Sequence, residues 1–259
     1  MKKFYLIAAM AVMALGASAQ QKLTLSTYAG TNLEKYDGKE CNITVNRVVM
    51  TGWNTISLPF AVSENELNEV FGSDCRLERL VGVEFDGKGL RLNFMDCKAG
   101  GIEPNTPYIL HYTGEMATKK IAKTALVANA PAKLVFTDQT TGETVTMACA
   151  QKQTDAKGLY GVLARDNAEA AFVNVDDVSN GFFATRCYIQ LSNGNSTMLT
   201  TNHIKAGDAT SINSVARLGE NVDVYNVSGV KVAAGIRANE VNNLPAGVYV
   251  VKGRKIMVK

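Results

Sequence analysis

The chain is 259 residues long and carries 27 Lys and Arg against 24 Asp and Glu, a formal charge of +3 at pH 7. That near balance lacks the strongly basic signature of a nucleic-acid binder. No apolar run reaches the ~20 residues that a membrane-crossing helix needs, so no transmembrane span is expected.

Met1-Lys2-Lys3, an apolar run over 4–15 and the small residues Ala17-Ser18-Ala19 read as a secretory signal peptide at 1–19, with the mature chain starting at Gln20. No cysteine follows the small residues, which leaves a lipid anchor without an attachment point. Lys2 and Lys3 leave with the leader, and the mature charge is close to neutral. It is uneven: residues 20–211 lean acidic, whereas 212–259 are basic.

After a polar lead, 22–26 alternates weakly and 42–50 (NITVNRVVM) gives a stronger strand rich in β-branched side chains. Residues 53–60 (WNTISLPF) read as a strand leaving its sheet, with Trp53, Thr55 and Ser57 on one face and Pro59 ending the ladder. Ser63-Glu64-Asn65-Glu66 is a capping box, followed by the apolar face of Leu67, Val70 and Phe71 and a stop at Gly72. It marks the one helix expected. Period-two spacing then returns at 77–85, 90–94, 108–112, 133–137, 144–148, 159–163, 171–175 and 182–191. Asp86-Gly87-Lys88-Gly89 joins the first two of these as a hairpin.

Strands at this density predict an all-β fold: an antiparallel β-sandwich body over 20–194, with jelly-roll topologies equally compatible. The polar stretch 195–211 reads as a linker, and no long internal repeat is visible. Gly-Trp-Asn-Thr-Ile-Ser-Leu-Pro-Phe (52–60), Pro-Asn-Thr-Pro-Tyr-Ile-Leu (104–110) and Ala-Thr-Arg-Cys-Tyr-Ile-Gln-Leu (184–191) resemble a module recurring in Bacteroidota surface proteins. That resemblance names no activity.

The last stretch, 212–259, holds short apolar runs separated by Ser-Gly, Pro-Ala-Gly and Lys-Gly-Arg, the pattern of a compact β domain. Through Val224, Tyr225, Gly229, Val232, Leu244, Gly247, Tyr249, Lys255 and Lys259 it resembles the C-terminal sorting domain of type IX secretion cargo in Bacteroidota. The resemblance implies a small Ig-like fold, the outer-membrane secretion machinery as partner and delivery to the cell surface or medium. Without a sorting role the protein would stay periplasmic.

Chemistry is thin elsewhere. Gly-x-Ser-x-Gly and His-Glu-x-x-His are both missing, and the two histidines, His111 and His203, read as a residue on a sheet face and an exposed residue of the linker. Five cysteines, an odd number, match no metal spacing. Cys75 and Cys97 flank the 77–94 hairpin almost symmetrically and are the candidate disulfide, with isolated buried thiols as the other reading. Asp74, Asp86, Asp96 and Glu103 surround the same hairpin without the spacing of a calcium loop, and the adjacent Asp176 and Asp177, which on a strand would point to opposite faces, read as a solvated loop before Asn180-Gly181. Lys119, Lys120 and Lys123 lack interleaved aromatics and read as a solvated face. No cofactor and no metal are expected.

Trp53, the single tryptophan, has two readings: a core anchor, or an exposed ligand platform on which a sugar ring stacks. The expected function is therefore non-catalytic, an exported β protein serving adhesion, scaffold or binding roles with a glycan or protein ligand. The alternative is a carbohydrate-binding module or carbohydrate-active enzyme using Trp53, Tyr108, Tyr112, Tyr160 and Tyr188.

Overall fold

A computed structural model describes residues 20–128, 132–163, 170–175, 181–193, 199–205, 221–226, 228–245, 247–252 and 254–258. Residues 1–19, read above as a signal peptide, the Asp176-Asp177 pair and Lys259 lie outside the described residues.

The body is three stacked sheets. The first contains β1 (Gln21–Ser26), β2 (Glu40–Val49) and β7 (Ala117–Leu126), in the order β1-β2-β7. The second contains β3 (Gly52–Ile56), β4 (Arg76–Phe85), β5 (Leu90–Asp96), β6 (Tyr108–Tyr112) and β13 (Leu199–Ile204), in the order β13-β5-β4-β6-β3. The third contains β8 (Lys133–Thr137), β9 (Thr144–Cys149), β10 (Tyr160–Leu163), β11 (Ala171–Asn174) and β12 (Cys187–Leu191), in the order β11-β10-β12-β9-β8. The fold is all-β as the spacing predicts. Two pairings depart from the antiparallel expectation: β1 runs parallel to β2, and β13 runs parallel to β5.

The second sheet lies in the middle because both of its faces are apolar. Ile56, Leu77, Tyr108 and Leu110 point to a core shared with Leu23, Leu25, Ile43 and Val45 of the first sheet. Trp53, Leu80, Leu92, Phe94 and Ile109 point the other way, to a core shared with Val145, Met147, Phe172 and Ile189 of the third. This explains the strand patterns: every residue of β3 is buried, while β2, covered on one face, alternates. The sandwich expected for the body is thus two interfaces sharing one sheet.

Helix α1 (Glu64–Phe71) starts as the sequence predicts: Ser63 Oγ accepts from Glu66 N at 3.4 Å, and Glu66 Oε2 accepts from Ser63 N at 2.8 Å. Lys123 of β7 donates to Glu66 Oε1 at 2.7 Å, and this bond together with the Ser63 N–H holds the Glu66 carboxyl down to about 2. Leu67 and Phe71 enter the first core. Strand β7 itself is absent from the expected elements, since its alternating lysines read only as a polar face; its full-length antiparallel pairing with β2 supplies the order.

The middle and third sheets repeat one plan of strand order, a likeness that no long repeat in the sequence announces. β3, β4, β5 and β6 give the order β5-β4-β6-β3, and β9, β10, β11 and β12 give β11-β10-β12-β9. Each set carries one isolated bridge in the same place, Val62 to Ile102 and Thr154 to Phe182. Gly101 and Gly181 precede these bridges with φ of 67° and 65°, and a Cβ at either would lie 2.1 or 2.2 Å from the carbonyl oxygen of Val62 or Thr154. Left-handed Asn105 and Thr185 follow at the same offset, then Tyr108-Ile109 opens β6 and Tyr188-Ile189 comes directly after Cys187, the first residue of β12. Within the body, two four-stranded units of the same strand order thus pack face to face.

The linker read at 195–211 is corrected over Leu199–Ile204: these residues form β13 and hydrogen-bond along β5. Leu199 and Thr201 are buried, so the segment contributes to the body core instead of spanning open solvent.

The tail is separate in its packing. β14 (Asn221–Asn226), β15 (Lys231–Arg237), β16 (Gly247–Val251) and β17 (Arg254–Val258) form a sheet in the order β15-β14-β16-β17. Val222, Val224, Val251, Ile256 and Val258 cover one face under Ala238 and Val241 of a short 3-10 turn, and among the described residues none of the body joins this cluster. Where the Ig-like expectation has two facing sheets, the described tail residues form one sheet closed by that turn.

Replacing Ser63 by Ala removes the acceptor for the first turn of α1 and should destabilise the body by about 1 kcal/mol. Urea unfolding of the S63A variant checks it, with the midpoint lowered and the slope unchanged.

Candidate functional site

The groups with chemistry converge at one end of the interface between the middle and third sheets. The register sets Trp53 opposite His111 and His111 opposite Arg76, which lines the three up across β3, β6 and β4 on the same face. Asn54, pointing the other way, fixes the corner before them. Its Nδ2 donates to Met50 O at 2.8 Å and its Oδ1 accepts from Met50 N at 3.0 Å.

Trp53 and His203 enter from opposite edges of the middle sheet and meet over β4. Their rings stack at 4.6 Å with an interplanar angle of 13°, while His111 meets the indole edge-on at 4.9 Å. The Arg76 guanidinium lies 5.0 Å from the indole centroid. Beneath them lies Glu78, whose side chain is 1% exposed: one carboxylate oxygen pairs with Arg76 of its own strand, and the other lies 2.5 Å from His203 Nδ1 on the edge strand β13. A buried carboxylate is tolerated because two donors face it.

Both histidines keep one ring nitrogen, His111 Nδ1 and His203 Nε2, buried without a hydrogen-bond partner. Burial, followed by the nearby Arg76 charge, pushes the His111 imidazole below its ordinary 6.5. A shallow pocket of about 330 Å³ opens beside His111, walled by the 51–52 corner and 111–115. Thr51 Oγ1 donates to Gly114 O at 2.8 Å across its mouth.

The arrangement sets the Glu78 carboxylate against both Arg76 and His203 and favours the neutral form of His111. Among the described residues no hydroxyl or thiol is bonded to His111 Nδ1 or His203 Nε2. Among the described residues no three His, Cys, Asp or Glu side chains are grouped as metal ligands.

Several residues take places that the sequence does not suggest. His203 is not an exposed linker residue but 15% exposed in β13. Trp53 is 2% exposed, so the ligand-platform reading is corrected to the core-anchor reading: β3 is covered on both faces. Tyr108, Tyr112 and Tyr160 are buried too, and Tyr188 packs on Phe182 at 5.4 Å between ring centroids. The Cys75–Cys97 disulfide is absent, and both are free thiols. The hairpin register pairs Glu78 with Asp96, and Cys97 N and Sγ both donate to Leu77 O, which places Cys97 across from Leu77 and two residues out of step with Cys75. Asp86 caps its own hairpin through Lys88 N and Gly89 N, and Asp74 accepts from Thr113 Oγ1 at 2.5 Å.

The sorting-motif residues take distinct structural posts. Val224 is fully buried in β14, and Leu244 and Tyr249 pack against the tail core. Gly229 turns the β14–β15 hairpin at φ 79°, Val232 stands exposed on β15, and Gly247 opens β16. Tyr225 faces Lys231, whose Nζ lies 5.5 Å from the ring centroid. Lys255 lies in β17.

Sequence reasoning missed Arg76 and Glu78 altogether. Glu78 sits in the apolar Leu77-Glu78-Arg79-Leu80 run, and nothing local says that His203, far along the chain, will face it. The alternation of Leu199, Thr201 and His203 is the one signal that could have exposed β13.

Replacing Glu78 by Gln strips the charged acceptor from Arg76 and His203 and should cost on the order of 2 kcal/mol, read as a lowered urea midpoint. For His111 the sign follows from its lowered pKa: the folded protein refuses a proton that the unfolded chain accepts. The stabilisation is present above 6.5 and lost as pH falls below it. Between pH 7 and 5 the thermal midpoint of the His111→Gln variant should therefore fall less than that of the parent. Searches against protein-family models, curated proteins and solved structures give no match to this chain.

Proposed function

We propose that the protein is an exported, non-catalytic β scaffold or binding protein, carried to the cell surface by its C-terminal domain acting on the outer-membrane secretion machinery. The observation that carries this reading is the self-contained core of the tail: Val222, Val224, Val251, Ile256 and Val258 pack on one another and on Ala238 and Val241. A sorting module must fold on any cargo, and a domain whose buried residues all come from itself meets that requirement. The sorting-like residues Val224, Gly229, Leu244 and Tyr249 hold this small fold together.

The carbohydrate-stacking alternative rests on exposed sheet aromatics, and Trp53, Tyr108, Tyr112 and Tyr160 are all buried.

Truncation after Ser211 tests the reading. Surface proteolysis of intact cells should find the full chain outside and the truncated body retained in the periplasm. Equal surface amounts of the two would end the sorting proposal. In the reverse arrangement, residues 212–259 fused to a periplasmic reporter should carry it to the surface in a strain with an intact machine.

A further inference from the structure

Cys149 and Cys187, two of the five free thiols, are direct register partners on the adjacent antiparallel strands β9 and β12. The neighbouring pair, Ala150 and Arg186, is the hydrogen-bonded one, with Ala150 N donating to Arg186 O at 2.9 Å. The cysteine pair is thus of the non-hydrogen-bonded type, and Cys187 N accordingly turns away to Thr55 Oγ1 at 3.1 Å. In such pairs the Cα atoms approach to about 4.5 Å, within the roughly 4.4 to 6.8 Å that a disulfide spans. The two thiols are close enough to hydrogen-bond to each other. No other two cysteines are register partners among the described strands.

We propose that Cys149 and Cys187 are a closable pair, joined by a cross-strand disulfide when the protein folds in the presence of a disulfide oxidant. The step is thiol–disulfide exchange. One cysteine thiolate attacks the oxidant's S–S bond to give a mixed disulfide and release one oxidant thiol. The second cysteine then displaces the oxidant sulfur, forming the Cys149–Cys187 bond. Two electrons and two protons pass to the oxidant, which leaves as two thiols.

The surroundings accommodate the product. Closure removes the Cys149 S–H that donates to Asn105 O at 3.1 Å, and that carbonyl keeps the Ala132 N–H at 3.0 Å. The Tyr108 N–H that points at the Cys187 sulfur needs only an acceptor, which a disulfide sulfur still offers. Both cysteines are buried, 5% and 0% exposed, and burial pushes the Cys187 thiol well above its ordinary range. Oxidant therefore reaches the pair while the chain folds or when the third sheet opens, and the closed bond is shielded from reductant afterwards.

The full mature chain, unfolded in reductant and refolded in a mixture of oxidised and reduced glutathione, is the test, read by peptide mapping without reduction. The expected map shows one linked peptide pair, Cys149 with Cys187, lighter by two hydrogens, and alkylated Cys41, Cys75 and Cys97. Oxidised protein should melt higher than reduced protein by on the order of 10 °C. Cys149→Ala or Cys187→Ala should abolish the link, and Cys97→Ala should keep it. Five alkylated cysteines after oxidative refolding, or a Cys75–Cys97 link, would overturn the proposal; the wild-type map is decisive even if a variant fails to fold.

Discussion

A sheet covered on both faces has no water to satisfy its polar groups, and that constraint organises the body. The middle sheet carries a guanidinium, a carboxylate, two imidazoles, an amide and an indole in or against it. Each has been given a place. Arg47, 4% exposed, donates to Thr55 O, Thr185 O and Thr185 Oγ1, so one buried cation joins the first sheet to β3 and to the turn that starts β12. Carbonyls rather than a carboxylate receive it, and burial lowers its pKa to about 9. Asn54 closes the β2–β3 corner, and Glu78 ties Arg76 to His203.

The internal duplication gives these contacts their geometry. Two units of the same strand order meet through apolar faces, and the elements that do not belong to the plan serve as covers. The first sheet and α1 close the outer face of the middle sheet, β8 extends the third, and β13 returns late in the chain to pair with β5. Because β13 carries His203 back over Glu78, the polar cluster fastens the last body strand to the first unit. The two left-handed residues Asn105 and Thr185 occupy equivalent turns, and both present backbone carbonyls to buried donors, Cys149 Sγ in one case and Arg47 in the other.

Among the described residues, the tail packs apart from the body. The tail has its own core and its own turn chemistry, with Asp223 accepting from Lys231 Nζ at 2.6 Å and from Gly235 N at 2.9 Å. In the body, Glu78, Arg76 and His203 join strands of the middle sheet, and Arg47 joins the first sheet to β3. A thiol pair set across β9 and β12 follows the same logic: its chemistry acts on the protein itself.

Local rules were enough for the elements. The Ser63–Glu66 box, the Asp-Gly-Lys-Gly hairpin and the period-two runs are contacts between near neighbours, so residues 63–72 and 76–96 could be read directly, as could the all-β class. The recurrence of Gly101, Tyr108 and Ile109 as Gly181, Tyr188 and Ile189 was also present in the sequence, though too sparse to stand out without the matching bridges. Tertiary structure alone decided the rest. Trp53 could be platform or anchor until β3 was seen covered on both sides. His203 looked solvated until β13 found its parallel partner β5. Cys149 acquired Cys187 rather than Cys75 acquiring Cys97, because strand register is fixed by packing between distant segments, and a sequence shows spacing but not register.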